Sequence, residues 1–187
     1  TTDLHLPIFP LPLFLLPDGV TRLRIFESRY LKMVSIASKA KGFVIWSNSK
    51  EEPFENSLWG SWVTIVNFYQ GEDGVLEIDV KCLSLVEIGE MKTDADNLMF
   101  GEVSVIEHWS QTRVSVTSNE LSYSLVKVIE DDKGLSELYP IKDIQNETWI
   151  VARWLELLPL QLKVKNTFVS EHEFKAAQKF IESIILK

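Results

Sequence analysis

Apolar and polar residues alternate with a period of two along much of the first 110 residues. In Val20–Phe26 the apolar and the charged side chains fall on opposite faces, which is the pattern of a half-buried strand. Trp62–Phe68 is apolar on both faces, as expected of a central strand in a barrel or a sandwich. Val75–Leu85 alternates again, and shorter apolar runs lie at Gly42–Trp46 and Leu98–Trp109. These patterns predict mostly antiparallel β-structure.

The opening segment, residues 6–34, predicts short extended pieces rather than a helix. Its prolines at positions 7, 10 and 12 lack an N–H, so we expect edge strands and bends here. Pro17-Asp18-Gly19 predicts a turn, and Gly71-Glu72-Asp73-Gly74 predicts a hairpin. Five residues are expected to be largely buried where the sheet meets the first helix: Phe9, Leu23, Ile25, Phe26 and Tyr30.

Helical periodicity begins near Ser28, and the last third of the chain is predominantly helical. Glu120–Ile129 places Leu121, Leu125 and Val128 on one face. Thr148 is predicted to cap a helix that ends at Pro159, and a capping box at residues 170–173 predicts the final helix. We therefore predict an α+β chain with a mostly antiparallel sheet and one inserted helix over residues 1–110, and helices over residues 111–187.

The charge balance argues against nucleic-acid binding. The chain has 27 acidic and 19 basic residues, for a net charge of −8, and its lysines and arginines are scattered singly. Such a chain repels polyanions at long range. A basic cleft would favour nucleic acid, and its candidate residues are Arg22, Arg24, Arg29 and Lys32. Arg29 is instead expected to be a structural ion-pair partner.

The cysteine content and the apolar runs bear on the compartment. The single cysteine, Cys82, excludes an internal disulfide and a cysteine-built zinc cage, and it fits a reducing compartment. Leu4–Pro17, the longest uncharged apolar run, is broken by prolines and is shorter than the roughly 20 residues that a spanning helix needs. It also lacks the positive flank of a signal peptide. We expect a cytoplasmic protein that has no membrane segment.

The motifs of common catalytic sites are missing from the sequence. The eight glycines match neither a Walker loop nor a dinucleotide fingerprint, and there is no GxSxG elbow. His5, His108 and His172 lie far apart, without metal-ligand spacing. Cys82 is on the predicted inward face of its strand, which indicates an inert thiol, and His108 beside Trp109 is expected to be a satisfied boundary residue. We predict no catalytic residues, no metal and no cofactor.

Residues 6–34, LPIFPLPLFLLPDGVTRLRIFESRYLKMV, resemble the start of the Lon N-terminal domain family. The resemblance continues more weakly through Gly42–Ile45, Trp59–Val66, the Gly71–Gly74 hairpin and Ala152–Leu160, where RWLELLPL matches the helical tail of the family. It is closest to the stand-alone bacterial members, which carry this domain without a protease.

The resemblance implies a PUA-like antiparallel β-barrel followed by a C-terminal helical bundle. It also implies a role in engaging protein substrates, without the AAA+ module and the Ser-Lys peptidase domain of full-length Lon enzymes. The chain departs from the family at Lys81–Leu85, where members commonly show Gly-x-x-Arg-Phe, and at Lys165–Ser170. Binding that depends on those family positions is therefore not carried over.

Three classes of function are consistent with the sequence. The leading hypothesis is a non-catalytic module that recognises apolar or unfolded polypeptide, and its candidate binding residues are Trp46, Trp59, Trp62, Tyr69 and Trp109. Core packing is the more common role of such large aromatic side chains. The alternatives are an RNA-binding PUA-like protein and a small-ligand site or enzyme in the crevice between barrel and bundle. A contiguous exposed aromatic patch would favour polypeptide binding.

Overall fold

The computed structural model describes residues 4–47, 58–109 and 119–186. The chain separates into two units, Thr1–Ile106 and Glu107–Lys187. The first unit contains β1 (Leu4–Pro10), β2 (Val20–Ile25), α1 (Ser28–Lys39), β3 (Phe43–Trp46), β4 (Leu58–Gln70), β5 (Leu76–Thr93) and β6 (Met99–Val105). The second contains α2 (Asn119–Asp131), α3 (Lys133–Leu138), α4 (Glu147–Leu157), α5 (Leu162–Asn166) and α6 (Phe174–Ile185). The chain is therefore α+β, as predicted.

The six strands form a mixed sheet in the order β2-β5-β4-β3-β1-β6, with a further pairing between β5 and β6. The sheet is mostly antiparallel, as predicted, and it departs from the antiparallel arrangement that the family resemblance implies in one pairing, because β1 and β3 pair in parallel. The chain between them passes through β2 and α1, and a crossover of this kind is what parallel neighbours require. The long strand β5 pairs with β2, β4 and β6. Strand pairing therefore continues from β5 through β4, β3, β1 and β6 and then back to β5.

The prolines of β1 lie inside the sheet, which corrects the expectation of an edge strand. Residues 4–8 of β1 pair with β6, and residues 8–10 pair with β3. Pro7 falls in the part that pairs with β6, and Pro10 falls in the part that pairs with β3. Each proline therefore lies where the register gives β1 one paired neighbour, so its missing N–H does not interrupt a ladder on both sides.

The turn predicted at Pro17-Asp18-Gly19 is confirmed, although glycine is not the residue that carries the positive φ. The N–H of Gly19 donates to the Leu16 carbonyl over 2.9 Å, and Asp18 has a φ of 69°. Proline at the second position and a short polar residue with positive φ at the third are typical of a type II turn. The turn leads the chain directly into β2.

The predicted seam of the first unit is correct in four of its five residues. Phe9, Leu23, Ile25 and Tyr30 are buried, and the Phe9 and Tyr30 rings stack with centroids 4.3 Å apart. The prediction for Phe26 is wrong, since its side chain is 72% exposed. Phe26 follows the last residue of β2, and the alternation that buries Ile25 turns the next side chain outward before α1 begins.

The exposure of Phe26 determines the expected effect of its substitution. Because its ring is exposed, Phe26→Ala should lower the free energy of unfolding by less than about 0.5 kcal/mol. Ile25→Ala, at a side chain that is 2% exposed, should cost about 2–5 kcal/mol. Urea unfolding of the two variants under identical conditions measures the difference. A loss at Phe26 that matches the loss at Ile25 would contradict the buried and exposed assignments.

In the second unit, two helix starts differ from the prediction. The cap of α4 is Asn146, whose side-chain oxygen accepts the N–H of Trp149 over 3.3 Å, so Thr148 lies within the helix. The predicted capping box does not open α6, which begins at Phe174 after Glu173 and has no side-chain cap. The predicted apolar face of α2 also differs at one position, because Val128 is exposed and the neighbouring Ile129 is buried.

Helix α4 is the central element of the second unit. All seven residues from Trp149 to Leu155 are buried, and the helix contacts α2 and α6. The indole Nε1 of Trp154 donates to the Leu121 carbonyl over 3.0 Å, which ties α4 to α2. The broad apolar face that the sequence shows here is therefore the core of the helical unit.

Candidate functional site

The most exposed apolar segment of the sheet is the end of β4 before the predicted hairpin. All five residues of Val66–Gln70 are exposed, whereas most of the first half of β4 is buried. The hairpin that follows is confirmed, because the Gly71 N–H donates to the Val75 carbonyl over 2.8 Å and Gly74 has a φ of 82°. A side chain at Gly74 would be strained by this φ. The turn thus presents the end of β4 to solvent.

An open groove of about 360 Å³ lies at this hairpin end, and it is lined by Phe68, Tyr69, Gln70, Gly74 and Leu76. Phe68 leaves 54% of its side chain exposed, and Tyr69 leaves 38% exposed. Gln70 pairs with Leu76, and Phe68 pairs with the buried Ile78. Apolar side chains therefore form most of the lining, while Gln70 supplies an amide that can donate and accept hydrogen bonds.

A buried carboxylate holds Tyr69 in place. Asp79 is 1% exposed and receives hydrogen bonds from Arg22, over 2.8 Å from Nε and 3.2 Å from the second guanidinium nitrogen. The Arg22 guanidinium lies 4.3 Å from the centre of the Tyr69 ring. A hydrogen bond to the Asp79 carboxylate, with a smaller effect of burial, raises the pKa of the Tyr69 hydroxyl. The Tyr69 side chain is therefore neutral and held in place beside Arg22 and Asp79.

A family model for the substrate-binding domain of ATP-dependent protease La (LON) matches residues 5–169. The chain belongs to the LON substrate-binding domain family. The match covers most of the 187 residues and confirms the family that the opening segment indicated.

Solved structures of this LON domain family share the fold. A Lon N-terminal domain protein from Xanthomonas campestris superposes with a TM-score of 0.69 at 23% identity, covering 96% of this chain and 98% of that one. The N-terminal domain of the Mycobacterium avium complex Lon protease gives a TM-score of 0.60 at 11% identity, with 98% of each chain covered. A comparison with curated proteins found no match.

The five binding candidates of this LON domain are not brought together. Trp59 and Trp109 are buried, and the Trp59 ring stands edge-on to Phe14 with centroids 6.3 Å apart. Trp46 and Trp62 are half-buried and pack against a core cluster of the first unit, and the Trp62 Nε1 donates to the Lys41 carbonyl over 2.6 Å. Of the five, only Tyr69 is exposed, and it lies in the groove.

Sequence reasoning missed Phe68 and Gln70. The available signal was the stretch Thr64–Gln70, TIVNFYQ, seven residues without a charge directly before a hairpin turn. A strand that ends at a hairpin and remains apolar on both faces cannot bury both of them against one core. The end of such a strand is a candidate contact surface.

The four cations proposed for a basic cleft are all paired with carboxylates. The pairs are Arg22 with Asp79, Arg24 with Asp73, Arg29 with Glu27 at 3.0 Å, and Lys32 with Asp94 at 2.7 Å and Asp96 at 2.6 Å. The expected ion-pair role of Arg29 is confirmed. Hydrogen bonds to both aspartates raise the pKa of Lys32, and the bond from Lys32 lowers the pKa of Asp94. These side chains therefore form neutralised clusters rather than a free basic cleft.

Charged groups also lie inside the helical unit. Arg153 is fully buried on α4, and its guanidinium holds the Glu156 carboxylate through bonds of 2.6 and 3.1 Å. The Lys165 ammonium donates to the Glu156 carbonyl over 2.7 Å, and burial lowers its pKa. Buried ionic groups need such partners, since an isolated charge in the interior is strongly destabilising. The burial of Arg153, Glu156 and Lys165 is therefore explained by their contacts with one another.

His108 belongs to the same interior. Its Nδ1 is 2.8 Å from the Val169 carbonyl and must carry the proton, because a carbonyl oxygen can only accept. The ring stacks on Trp109 with centroids 4.4 Å apart, and Nε2 is buried without a hydrogen-bond partner. Burial lowers the pKa of His108 to about 4, and the nearby positive charge of Arg153 acts in the same direction. His108 is therefore neutral at physiological pH.

Two further observations concern metals and membranes. Within residues 4–47, 58–109 and 119–186, no three histidine, cysteine or acidic side chains are grouped so that they could hold a metal ion. Among the helices in these same ranges, none has both the length and the apolar character needed to cross a membrane. Cys82 is buried, as its position in the strand pattern predicted.

Proposed function

We propose that this LON-family chain is a non-catalytic module that binds exposed apolar segments of unfolded polypeptide at the end of β4. The observation that carries the proposal is the exposed groove around Phe68 and Tyr69 in a member of a substrate-binding domain family. Contiguous exposed apolar surface of this kind commonly marks a contact site for another protein.

The expected affinity is modest. A groove of this size covers one or two side chains of an extended segment, and ordering an unfolded chain offsets part of the gain. We expect a dissociation constant of about 1 μM or weaker, which corresponds to roughly 8 kcal/mol. The open shape of the groove favours tolerance of many apolar sequences over selection of a single one.

The pairing of the cations supports this proposal over RNA binding. Nucleic-acid affinity depends on cationic side chains that can neutralise phosphates. The four candidate side chains for a basic cleft are held by Asp79, Asp73, Glu27, Asp94 and Asp96. The net charge of −8 adds long-range repulsion, so we expect negligible RNA binding at physiological salt.

Substitution of Phe68 tests the proposal directly. Phe68→Ser should weaken binding of a carboxymethylated, permanently unfolded protein by about tenfold, because loss of the aromatic contact removes one to two kcal/mol of apolar burial. Fluorescence anisotropy at two salt concentrations measures the affinity, with a mixed-sequence RNA as a second ligand. Tyr123→Ser, at an aromatic side chain that is 75% exposed in the helical unit, is the matched control.

Equal affinities for the wild type and Phe68→Ser would contradict the proposed site. Tight RNA binding with a steep salt dependence, together with no response to the unfolded protein, would replace the proposed function by nucleic-acid recognition.

Further parts of the proposal follow from the sequence. We expect no ATPase or peptidase activity and no cofactor, since the sequence contains neither a phosphate-binding loop nor a recognisable activated nucleophile. The single, buried Cys82 supports a reducing, cytoplasmic location. We also propose that the mixed sheet corresponds to the PUA-like barrel of residues 1–110, and that residues 111–187 form the helical bundle.

A further inference from the structure

The second half of β4 has an open hydrogen-bonding edge. Strand β5 pairs with β4 from Leu58 to Gln70, whereas the pairing with β3 covers only Ser61–Val63. In the part of the chain that the structure describes, Thr64–Gln70 thus has a strand on one side only. Backbone N–H and C=O groups along such an edge are available to another chain.

The hairpin geometry identifies the backbone groups that point outward. The N–H of Gly71 donates to the Val75 carbonyl, so this pair is hydrogen-bonded and alternate pairs along the ladder are too. Phe68 and Gln70 fall at the positions between them, and their N–H and C=O groups therefore point away from β5. The hydrogen bonds on the other side of β5 agree with this assignment. The Cys82 N–H donates to the Gly19 carbonyl and the Cys82 carbonyl accepts the Asp18 N–H, so the backbone groups of Cys82 face the β2 side.

This edge lacks two of the features that commonly prevent strand addition. Proteins protect exposed edges with charged side chains or prolines, yet TIVNFYQ in Thr64–Gln70 contains neither. By contrast β2, the strand on the other side of β5, carries Arg22 and Arg24. A register shift between Ile65 and Asn67 bends β4 before the exposed part, and pairing with β5 is regular from Asn67 to Gln70.

We propose that the edge of β4 from Phe68 to Gln70 binds its polypeptide as an added β-strand. An extended backbone offers the alternating donors and acceptors that Phe68 and Gln70 present, and its alternate side chains can enter the groove. The exposed carboxylate of Glu72 at the adjacent turn favours a lysine or arginine next to the apolar residue of the ligand. This inference rests on the proposed function, to which it adds the mode of recognition and the class of segment.

Amide hydrogen exchange by NMR tests the mode of binding. The probe is a synthetic decapeptide of alternating leucine and threonine with two lysines at one end, added to the full chain. The amides of Phe68 and Gln70 should exchange rapidly in the free protein and about tenfold more slowly with peptide bound. The amides of Asn67 and Tyr69, which face β5, should already be protected and should change little.

A pair of variants separates the backbone from the side chain. Gln70→Pro removes an outward N–H while leaving the β5 ladder intact, because this N–H does not take part in it. Gln70→Ala loses the same side-chain amide but keeps the N–H, so Gln70→Pro should bind the decapeptide about tenfold more weakly than Gln70→Ala does. Thermal unfolding of both variants checks that the sheet is retained.

The possible outcomes distinguish the two proposals. If peptide binds but the Phe68 and Gln70 amides stay unprotected, and Gln70→Pro binds like Gln70→Ala, strand addition is wrong and polypeptide binding stands. If neither the decapeptide nor the unfolded protein binds, the proposed function fails as well. If the Phe68 and Gln70 amides are protected from exchange without peptide, and this protection grows with protein concentration, the edge of β4 binds a second copy of this chain. That result would overturn the inference.

Discussion

Trp109→Ala should destabilise the helical unit by about 3–5 kcal/mol, the cost of truncating a buried tryptophan. The Trp109 ring is fully buried, its edge meets Phe174, and its Nε1 donates to the Phe168 carbonyl over 2.8 Å. Alanine would leave a cavity and would also remove the hydrogen bond to the Phe168 carbonyl. Denaturant unfolding followed by circular dichroism at 222 nm measures the loss.

Two controls make the Trp109 result specific. Trp109→Phe keeps most of the volume and should cost less than alanine, since it loses chiefly the hydrogen bond. Tyr123→Ala, at an exposed position in the same unit, should change the free energy of unfolding by less than about 0.5 kcal/mol. A loss below about 1 kcal/mol for Trp109→Ala would mean that Trp109 is not a core residue, and it would return this side chain to the list of binding candidates.

The helical unit should lose about 3 kcal/mol of stability as the pH falls from 6.5 to 4, because of His108. Burial lowers the pKa of His108 from 6.5 to about 4 in the folded state. Between these two values the unfolded chain binds the proton and the folded chain does not. The stabilisation is therefore fully present above pH 6.5, decreases as the pH falls, and is exhausted near pH 4.

Variants at two histidines isolate this effect from the titration of carboxylates. In His108→Gln the amide can still donate to the Val169 carbonyl but cannot take up a proton, so unfolding free energies measured from pH 7 to pH 4 should fall less steeply than in the wild type. His172→Gln, at an exposed position, should follow the wild-type curve. Parallel curves for His108→Gln and the wild type would show that His108 is not buried in its neutral form.

Much of the fold could be predicted because local periodicity and burial agree along the strands. The alternation in Val20–Ile25 matches the observed pattern, and the glycines at 71 and 74 fixed the hairpin. The extension of β5 to Thr93 could not be predicted, since Val86–Thr93 is rich in charge and contains Gly89. Pairing with β6, interrupted by a register shift between Ile88 and Met91, keeps this part extended. Tertiary pairing here overrides weak local preference.

The candidate site was less accessible to sequence reasoning. Large aromatic residues are favoured both in cores and at contact surfaces, so five candidates of similar character separated only when Trp59 and Trp109 proved buried and Tyr69 exposed. Phe26 and Phe68 show the same ambiguity, because burial of a side chain at the end of a strand depends on what covers that end. The open edge of β4 depends on where β3 stops pairing, which is not encoded in the periodicity of β4.

The central claim is that polypeptide binds at the end of β4, and photo-cross-linking tests it most directly. An unfolded, carboxymethylated protein that carries photoreactive leucine would be irradiated with the full chain, and the cross-linked residues would be located by mass spectrometry. We predict that cross-links concentrate at Val66–Gln70 and Leu76 and decrease strongly in Phe68→Ser. Cross-links that cluster elsewhere and are unaffected by Phe68→Ser would contradict the claim.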